Sequence, residues 1–312
     1  MHAARRKILP YKNFSFLFHL WQAYETDPSP YARDSFIINH VKPYLRDGDV
    51  LNIVTGNGIE PGSDLGAAGY EVINPPFRYV DMKIVNERLA RLKEALPDVN
   101  VHYTVLTAGI DHLHQVIDGL SEEGRKQLDC IFYAYEPNFL LEFNYDGEAS
   151  VNRIREAAGI IRRAGFRAGA APPTGLDLKE TGFKNWNYGR FAQELDRMVL
   201  QTQASLAVDC RNGDLGIPNW TERALNPLLA QIRGYPGKCV IYPQVTMGAF
   251  GGDGVPAAAK IGYASDFQYC REALNSLYRA GLPGVSLWYN IDANNNVLEL
   301  IKTFRSTQNE DL

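Results

Sequence analysis

The chain has 312 residues, 45% of them hydrophobic and 22% charged, with a formal net charge of −4. That balance suits a globular protein with an ample core, and it excludes long-range attraction to a polyanion, because Arg5, Arg6 and Lys7 are too few and too terminal for a nucleic-acid footprint. No stretch approaches the roughly 18–20 apolar residues of a membrane span, and no apolar leader follows the basic N-terminus, so the expectation is a cytoplasmic protein, although a mature secreted chain would read the same.

Strand-like apolar runs alternate with helical patterns along the chain. The first run, Ser15 to Leu20, could also open a helix over Phe14 to Trp21. A helix follows over Ser35 to Leu45, where Ile37, Ile38, Val41 and Leu45 share a face. The second strand is Asp49 to Val54, followed by a helix from Tyr79 to Ala95 with Val85, Leu89, Leu92 and Leu96 in register. Val101 to Leu106 is the third strand, with a short helix over Asp111 to Leu120. The fourth strand, Asp129 to Tyr135, leads to a helix over Ser150 to Ala164. Phe166 to Ala171 is the fifth, with a helix near Tyr188 to Leu195. Arg197 to Gln203 is the sixth, with Leu206 to Cys210 as an alternative, and a helix over Thr221 to Arg233 follows. Lys238 to Val245 is the seventh, and Gly284 to Tyr289, between helices Ser265 to Ala280 and Asn295 to Phe304, is the eighth.

Gly48, Gly165 and Gly281 each follow a helical run, where a left-handed residue ends a helix without a Cβ penalty. Alternation of strand and helix implies a parallel sheet, and this many units imply closure into a single-domain (β/α)8 barrel over residues 1–312, with an open doubly wound sheet as the alternative. The polar tail Thr307 to Leu312 is expected to fray.

Barrels of this kind do their chemistry at the C-terminal ends of the strands. Here those ends carry Trp21-Gln22, Thr55-Gly56-Asn57, Thr107, Glu136-Pro137-Asn138, Gln201-Thr202-Gln203, Gln244-Val245-Thr246 and Trp288-Tyr289-Asn290. Amides, hydroxyls and aromatic rings dominate, a lining that suits the hydroxyls and apolar ring faces of a sugar better than a phosphate. Glu136 follows the uncharged run Ile131 to Tyr135, so desolvation is expected to raise its pKa, as a general acid requires. Pairing with a rim arginine, or capping a helix, is the structural alternative.

The stretch Asp129-Cys130-Ile131-Phe132-Tyr133-Ala134-Tyr135-Glu136 resembles the fourth-strand D-G-x-D-x-D-x-E motif of glycoside hydrolase family 18, and Gly284-Val285-Ser286-Leu287-Trp288 is similar to that family's eighth-strand segment. The resemblance implies a sugar-cleaving barrel with Glu136 as the acid and Trp288 as the floor of a sugar subsite. It also implies inner aspartates, the last of which orients the substrate's acetamido group, and this chain has Phe132 and Ala134 there. A glycosidase needs two carboxyls, or one with help from the substrate. Asp209, Asp292 and Glu60 are candidates for a second acid, each read first as a solvated loop carboxylate.

The expected site therefore comprises Glu136 as acid, with Trp21, Tyr135, Asn138, Gln203, Tyr242, Gln244 and Trp288 contacting a carbohydrate or similar polyhydroxylated molecule. Trp186 and Trp220 read equally as loop packing. A barrel that binds sugar without cleaving it is one alternative. A sugar-phosphate lyase or isomerase, using the glycine-rich loop Gly248 to Gly254 for phosphate, is another. No cofactor and no metal is expected: His112 and His114 diverge at a helix start, and Cys130, Cys210, Cys239 and Cys270 lack ligand spacing and read as buried thiols.

Overall fold

The structure, a computed structural model, describes residues 14–20, 31–55, 80–107, 109–134, 146–172, 187–201, 225–234, 238–248, 265–289 and 294–310. Its strands are β1 (Ser15–Leu20), β2 (Val50–Val54), β3 (His102–Thr107), β4 (Leu128–Ala134), β5 (Arg167–Ala171), β6 (Arg197–Leu200), β7 (Val240–Met247) and β8 (Gly284–Tyr289). They form a closed parallel barrel in sequence order. Closure is by β8 onto β1, from Ser15 opposite Gly284 to Phe18 opposite Leu287, which rules out the open sheet. The fold is a single-domain (β/α)8 barrel.

The helices are α1 (Ala32–Phe36), α2 (Met82–Ala95), α3 (Ile110–Gly119), α4 (Glu122–Gln127), α5 (Gly147–Arg163), α6 (Tyr188–Glu194), α7 (Asn226–Arg233), α8 (Asp266–Arg279) and α9 (Asn294–Glu310). After α1 the chain widens into a π turn (Ile37–Val41) and tightens into a 3-10 turn (Lys42–Tyr44) around Pro43, which has no N–H to continue an α-helix. Side chains of Asp81, Ser121, Asp146, Asn187 and Ser265 accept hydrogen bonds from the first turns of α2, α4, α5, α6 and α8. Gly48, Gly165 and Gly281 have positive φ, as their turns require. No helix among the described residues is long and apolar enough to cross a membrane.

Several elements depart from the sequence reading, three of them instructively. The hydrophilic helix α4, Glu-Glu-Gly-Arg-Lys-Gln, has no apolar periodicity to reveal it; its signal is the cap Ser121 and the acids after it. Strand β6 ends at Leu200, short of Gln203. The tail expected to fray continues α9 as far as Glu310, because Val297, Leu300, Ile301 and Phe304 anchor the helix and extension of a formed helix costs little.

Alternation along each strand divides the core in two. Leu17, Val50, Cys130, Phe132, Val199 and Tyr242 pack together inside the barrel. Phe16, Phe18, Leu51, Ile53, Ile131, Val285 and Leu287 face the helices in the larger outer cluster. Gly169 makes room for an inner ring: a Cβ there would lie 2.8 Å from Phe132.

Buried ion pairs join the helices to the barrel. Arg305 of α9 donates to both carboxylate oxygens of Asp49 at 2.8 Å, and the same carboxylate accepts from the backbone N–H of Phe16 and Arg46. Burial pushes the Asp49 carboxyl up, against the pull of Arg305 and those N–H groups. At the N-terminal end of the barrel, Asp129 lies 2.5 Å from Arg197 and 3.5 Å from both Arg167 and His102. We expect Arg305→Leu, which strands a buried carboxylate, to lower the unfolding free energy by about 3–5 kcal/mol in urea titrations. Lys126→Ala, which removes an exposed pair with Glu122 and Glu123, should cost less than about 1 kcal/mol. Equal effects would contradict this division.

Candidate functional site

Each of β1, β2, β3 and β8 is an apolar run with a buried polar residue facing inward: His19, Asn52, Thr104 and Ser286. They meet in one chain across the interior. Thr104 Oγ1 donates to Asn52 Oδ1 at 2.7 Å, Asn52 Nδ2 donates to His19 Nδ1 at 3.2 Å, and His19 Nε2 lies 2.7 Å from Ser286 Oγ. With the Asn52 amide donating to Nδ1, the imidazole proton sits on Nε2 and is donated to Ser286. Desolvation by burial drives the His19 pKa down to about 3, so the ring is neutral at ordinary pH.

Trp288, toward the C-terminal end of β8, lies beside this chain. Its ring centroid is 4.5 Å from that of His19, at 34°. Trp288 is half-buried whereas its neighbours on β8 are buried, which makes it the residue of that strand exposed toward the mouth. Gln244 on β7 is opposite Ser286 in register and is buried.

The structure thus brings two of the expected contact residues, Gln244 and Trp288, onto neighbouring strands with the same inward parity. Tyr242 is placed elsewhere. Its hydroxyl accepts from Ser15 Oγ at 3.3 Å, and a Cβ on Gly284 would lie 2.9 Å from its ring, so it fills the barrel near the first residues of β1 and β8, away from the mouth. Trp21, Tyr135, Glu136, Asn138 and Gln203 lie outside the described residues, as do Glu60, Trp186, Asp209, Trp220, Asp292 and the loop after Gly248. Asp129, which begins the stretch resembling the family 18 motif, closes the opposite end of the barrel with Arg197. A strand of that length separates its ends by roughly 20 Å, so Asp129 serves the ion cluster and not the mouth.

Several hydroxyls and amides at the strand ends are already engaged. Thr55 Oγ1 donates to the carbonyl of Leu106, Thr107 Oγ1 to that of Phe132, and Gln201 Nε2 to that of Ala171. Two buried arginines extend this lacing: Arg88 donates to the Leu20 carbonyl at 2.8 Å and Arg33 to that of Tyr289 at 2.7 Å, with its guanidinium 4.1 Å from the Tyr289 ring centroid. Arg88 is fixed by two hydrogen bonds to Asp34, each 2.7 Å. The strand ends next to Trp21 and Asn290 are thereby held by α1 and α2. Sequence reasoning missed both the arginines and His19; the signal for His19 was a lone histidine inside the apolar run Ser-Phe-Leu-Phe-His-Leu.

Among the described residues, no inward-facing position in the C-terminal half of the barrel is an acid or a base that is charged at neutral pH. His112 is buried and His114 exposed on opposite sides of α3, and the described residues contain no cluster able to hold a metal. Cys130 and Cys270 are buried and Cys239 is partly so, with Cys130 pushed far up and Cys239 up to about 12 by burial, so neither is a reactive thiolate.

No protein-family model matches the chain, and no curated protein does. Among solved structures it is similar to the C-terminal domain of a putative chitinase from Desulfitobacterium hafniense DCB-2, with 10% identity over 93% of this chain and 99% of that one, at a TM-score of 0.56. It is also similar to a chitinase from Chromobacterium violaceum ATCC 12472, with 11% identity over 94% and 98% of the two chains and a TM-score of 0.54. A third is the PgaB (BpsB) glycoside hydrolase domain from Bordetella bronchiseptica, with 10% identity over 94% and 98% and a TM-score of 0.55. At such identities the likeness is one of fold.

The neutral imidazole makes stability depend on pH. The folded pKa of His19, about 3, lies below its ordinary 6.5, so the unfolded chain binds the extra proton between those values. The contribution is complete above pH 6.5 and is lost as the pH falls toward 3. His112, lowered to about 4 by burial, adds in the same direction. We expect His19→Gln to flatten the fall of unfolding free energy below pH 6.5 by up to about 1.4 kcal/mol per pH unit. An unchanged slope in urea titrations would show that His19 is not held neutral.

Proposed function

We propose that this protein binds a carbohydrate at the C-terminal end of its barrel and cleaves a glycosidic bond, with Glu136 as the general acid. The observation that carries the reading is Trp288, half-buried at an inward-facing position near the C-terminal end of β8. Beside it the buried Asn52, Thr104, Ser286, Gln244 and neutral His19 bring no charge to the interior. An indole face over an uncharged interior suits the apolar face of a sugar ring and supplies no cation for a phosphate.

The sequence supports the choice of acid: Glu136 ends the stretch that resembles the family 18 fourth-strand motif, at the place of that motif's acid. The solved barrels of similar fold include chitinases and a glycoside hydrolase domain, and one of them, a chitinase from Ostrinia furnacalis, is in complex with allosamidin. In the proposed reaction the Glu136 carboxyl gives its proton to the glycosidic oxygen as the bond to the sugar carbon breaks. Since Ala134 and Phe132 offer no second acid, the electron pair that stabilises the sugar carbon comes from the substrate's own substituent.

A second reading, a barrel that binds sugar without cleaving it, is favoured by those same two residues. Chitin-, cellulose- and xylan-derived oligosaccharides and aryl glycosides, offered to the wild type and to Glu136→Gln, separate the two. The enzyme reading expects turnover by the wild type, a loss of about 10²–10⁴-fold in kcat/KM in the variant, and sugar affinity within a few-fold in calorimetry. Binding without turnover on any glycoside supports the second reading. Neither binding nor turnover would end both.

A further inference from the structure

We propose that His19 is a positioning residue for Trp288, holding the indole as a fixed wall of the mouth through the hydrogen-bond chain Ser286–His19–Asn52–Thr104. The proposal rests on the carbohydrate reading for what the wall contacts, but the positioning itself is a separate claim. A ring can hold a neighbour's orientation only if its own is fixed. The imidazole of His19 is tied at both nitrogens, to Ser286 of the strand on one side and Asn52 of the strand on the other, and Asn52 is tied in turn to Thr104. It therefore cannot flip or rotate about its second side-chain torsion without breaking two buried hydrogen bonds. Its face lies against the indole at 4.5 Å.

The strands that carry the two rings are restrained in the same way. Arg88 holds the Leu20 carbonyl, one residue past His19, and Arg33 holds the Tyr289 carbonyl, one residue past Trp288. Both ends of the stack are thus anchored, one by the interior chain and the other by the helices. A half-buried tryptophan so restrained offers a sugar ring a flat surface that is already in place, and the ligand need not lose the side chain's freedom on binding.

The test compares the wild type with His19→Gln, which removes the ring, His19→Phe, which keeps a ring and loses its hydrogen bonds, and Ser286→Ala, which breaks one bond and creates little strain. Time-resolved fluorescence anisotropy of Trp288, isolated by difference from Trp288→Phe, reads the indole's motion. Calorimetry with chitin-, cellulose- and xylan-derived pentasaccharides reads the wall. We expect faster depolarisation of Trp288 in all three variants, smallest in Ser286→Ala. The dissociation constant should rise about threefold to tenfold in the His19 variants, the range an aromatic contact commands, with KM raised and kcat little changed. Unchanged depolarisation and affinity in folded variants would overturn the proposal, whatever the change in melting temperature. If the His19 variants do not fold, Ser286→Ala decides by the same readouts. If the wild type binds none of the sugars, the carbohydrate reading fails, and the anisotropy still decides whether His19 positions Trp288.

Discussion

A hydrogen bond between His19 and Ser286, extended through Asn52 to Thr104, fixes what the middle of this barrel can be. Polar groups removed from water are tolerated only when they satisfy one another, and these do so across four strands brought together by closure of the sheet. Beside the chain Trp288 is half-buried, and Leu17, Val54, Leu106, Phe132 and Tyr242 pack the interior around it. A charged histidine at that position would set its Nδ1–H against the Asn52 amide, and burial independently favours the neutral ring.

The two ends of the barrel divide the work accordingly. Charge is gathered at the N-terminal end, where Asp129 meets Arg197, Arg167 and His102, and along the helix contacts Asp49–Arg305 and Asp34–Arg88. The C-terminal end spends its arginines on backbone carbonyls and leaves the interior uncharged among the described residues. Conventional barrels place stability at one face and chemistry at the other, and this distribution of side chains follows the same division.

Much of the architecture was legible because it rests on local rules. Apolar runs with period two, helical faces such as Val85, Leu89 and Leu92, and glycines after helices give strand, helix and turn directly, and β1 and β8 fall where they were expected. What was not legible depends on which neighbours closure supplies. Thr55, Thr107 and Gln201 looked free to meet a ligand, and each donates instead to an adjacent strand. Tyr242 has the inward parity of a contact residue, but its height in the barrel, set by the partnership with Ser15, removes it from the mouth. Asp129 begins the stretch that resembles the family 18 motif, and its place near the start of β4 puts it in the ion cluster at the N-terminal end. His19 reads as an interruption in a strand until Ser286, more than two hundred residues later, stands next to it.

The proposed function requires a neutral sugar at the mouth, against Trp288 and within reach of the Glu136 carboxyl. A crystal structure of Glu136→Gln with a pentasaccharide that binds it tests this most directly. The expected result is a sugar ring lying on the Trp288 face and the amide at position 136 within hydrogen-bond distance of a glycosidic oxygen. A sugar bound elsewhere, or a residue 136 turned to the outer helices and paired with an arginine, would contradict it.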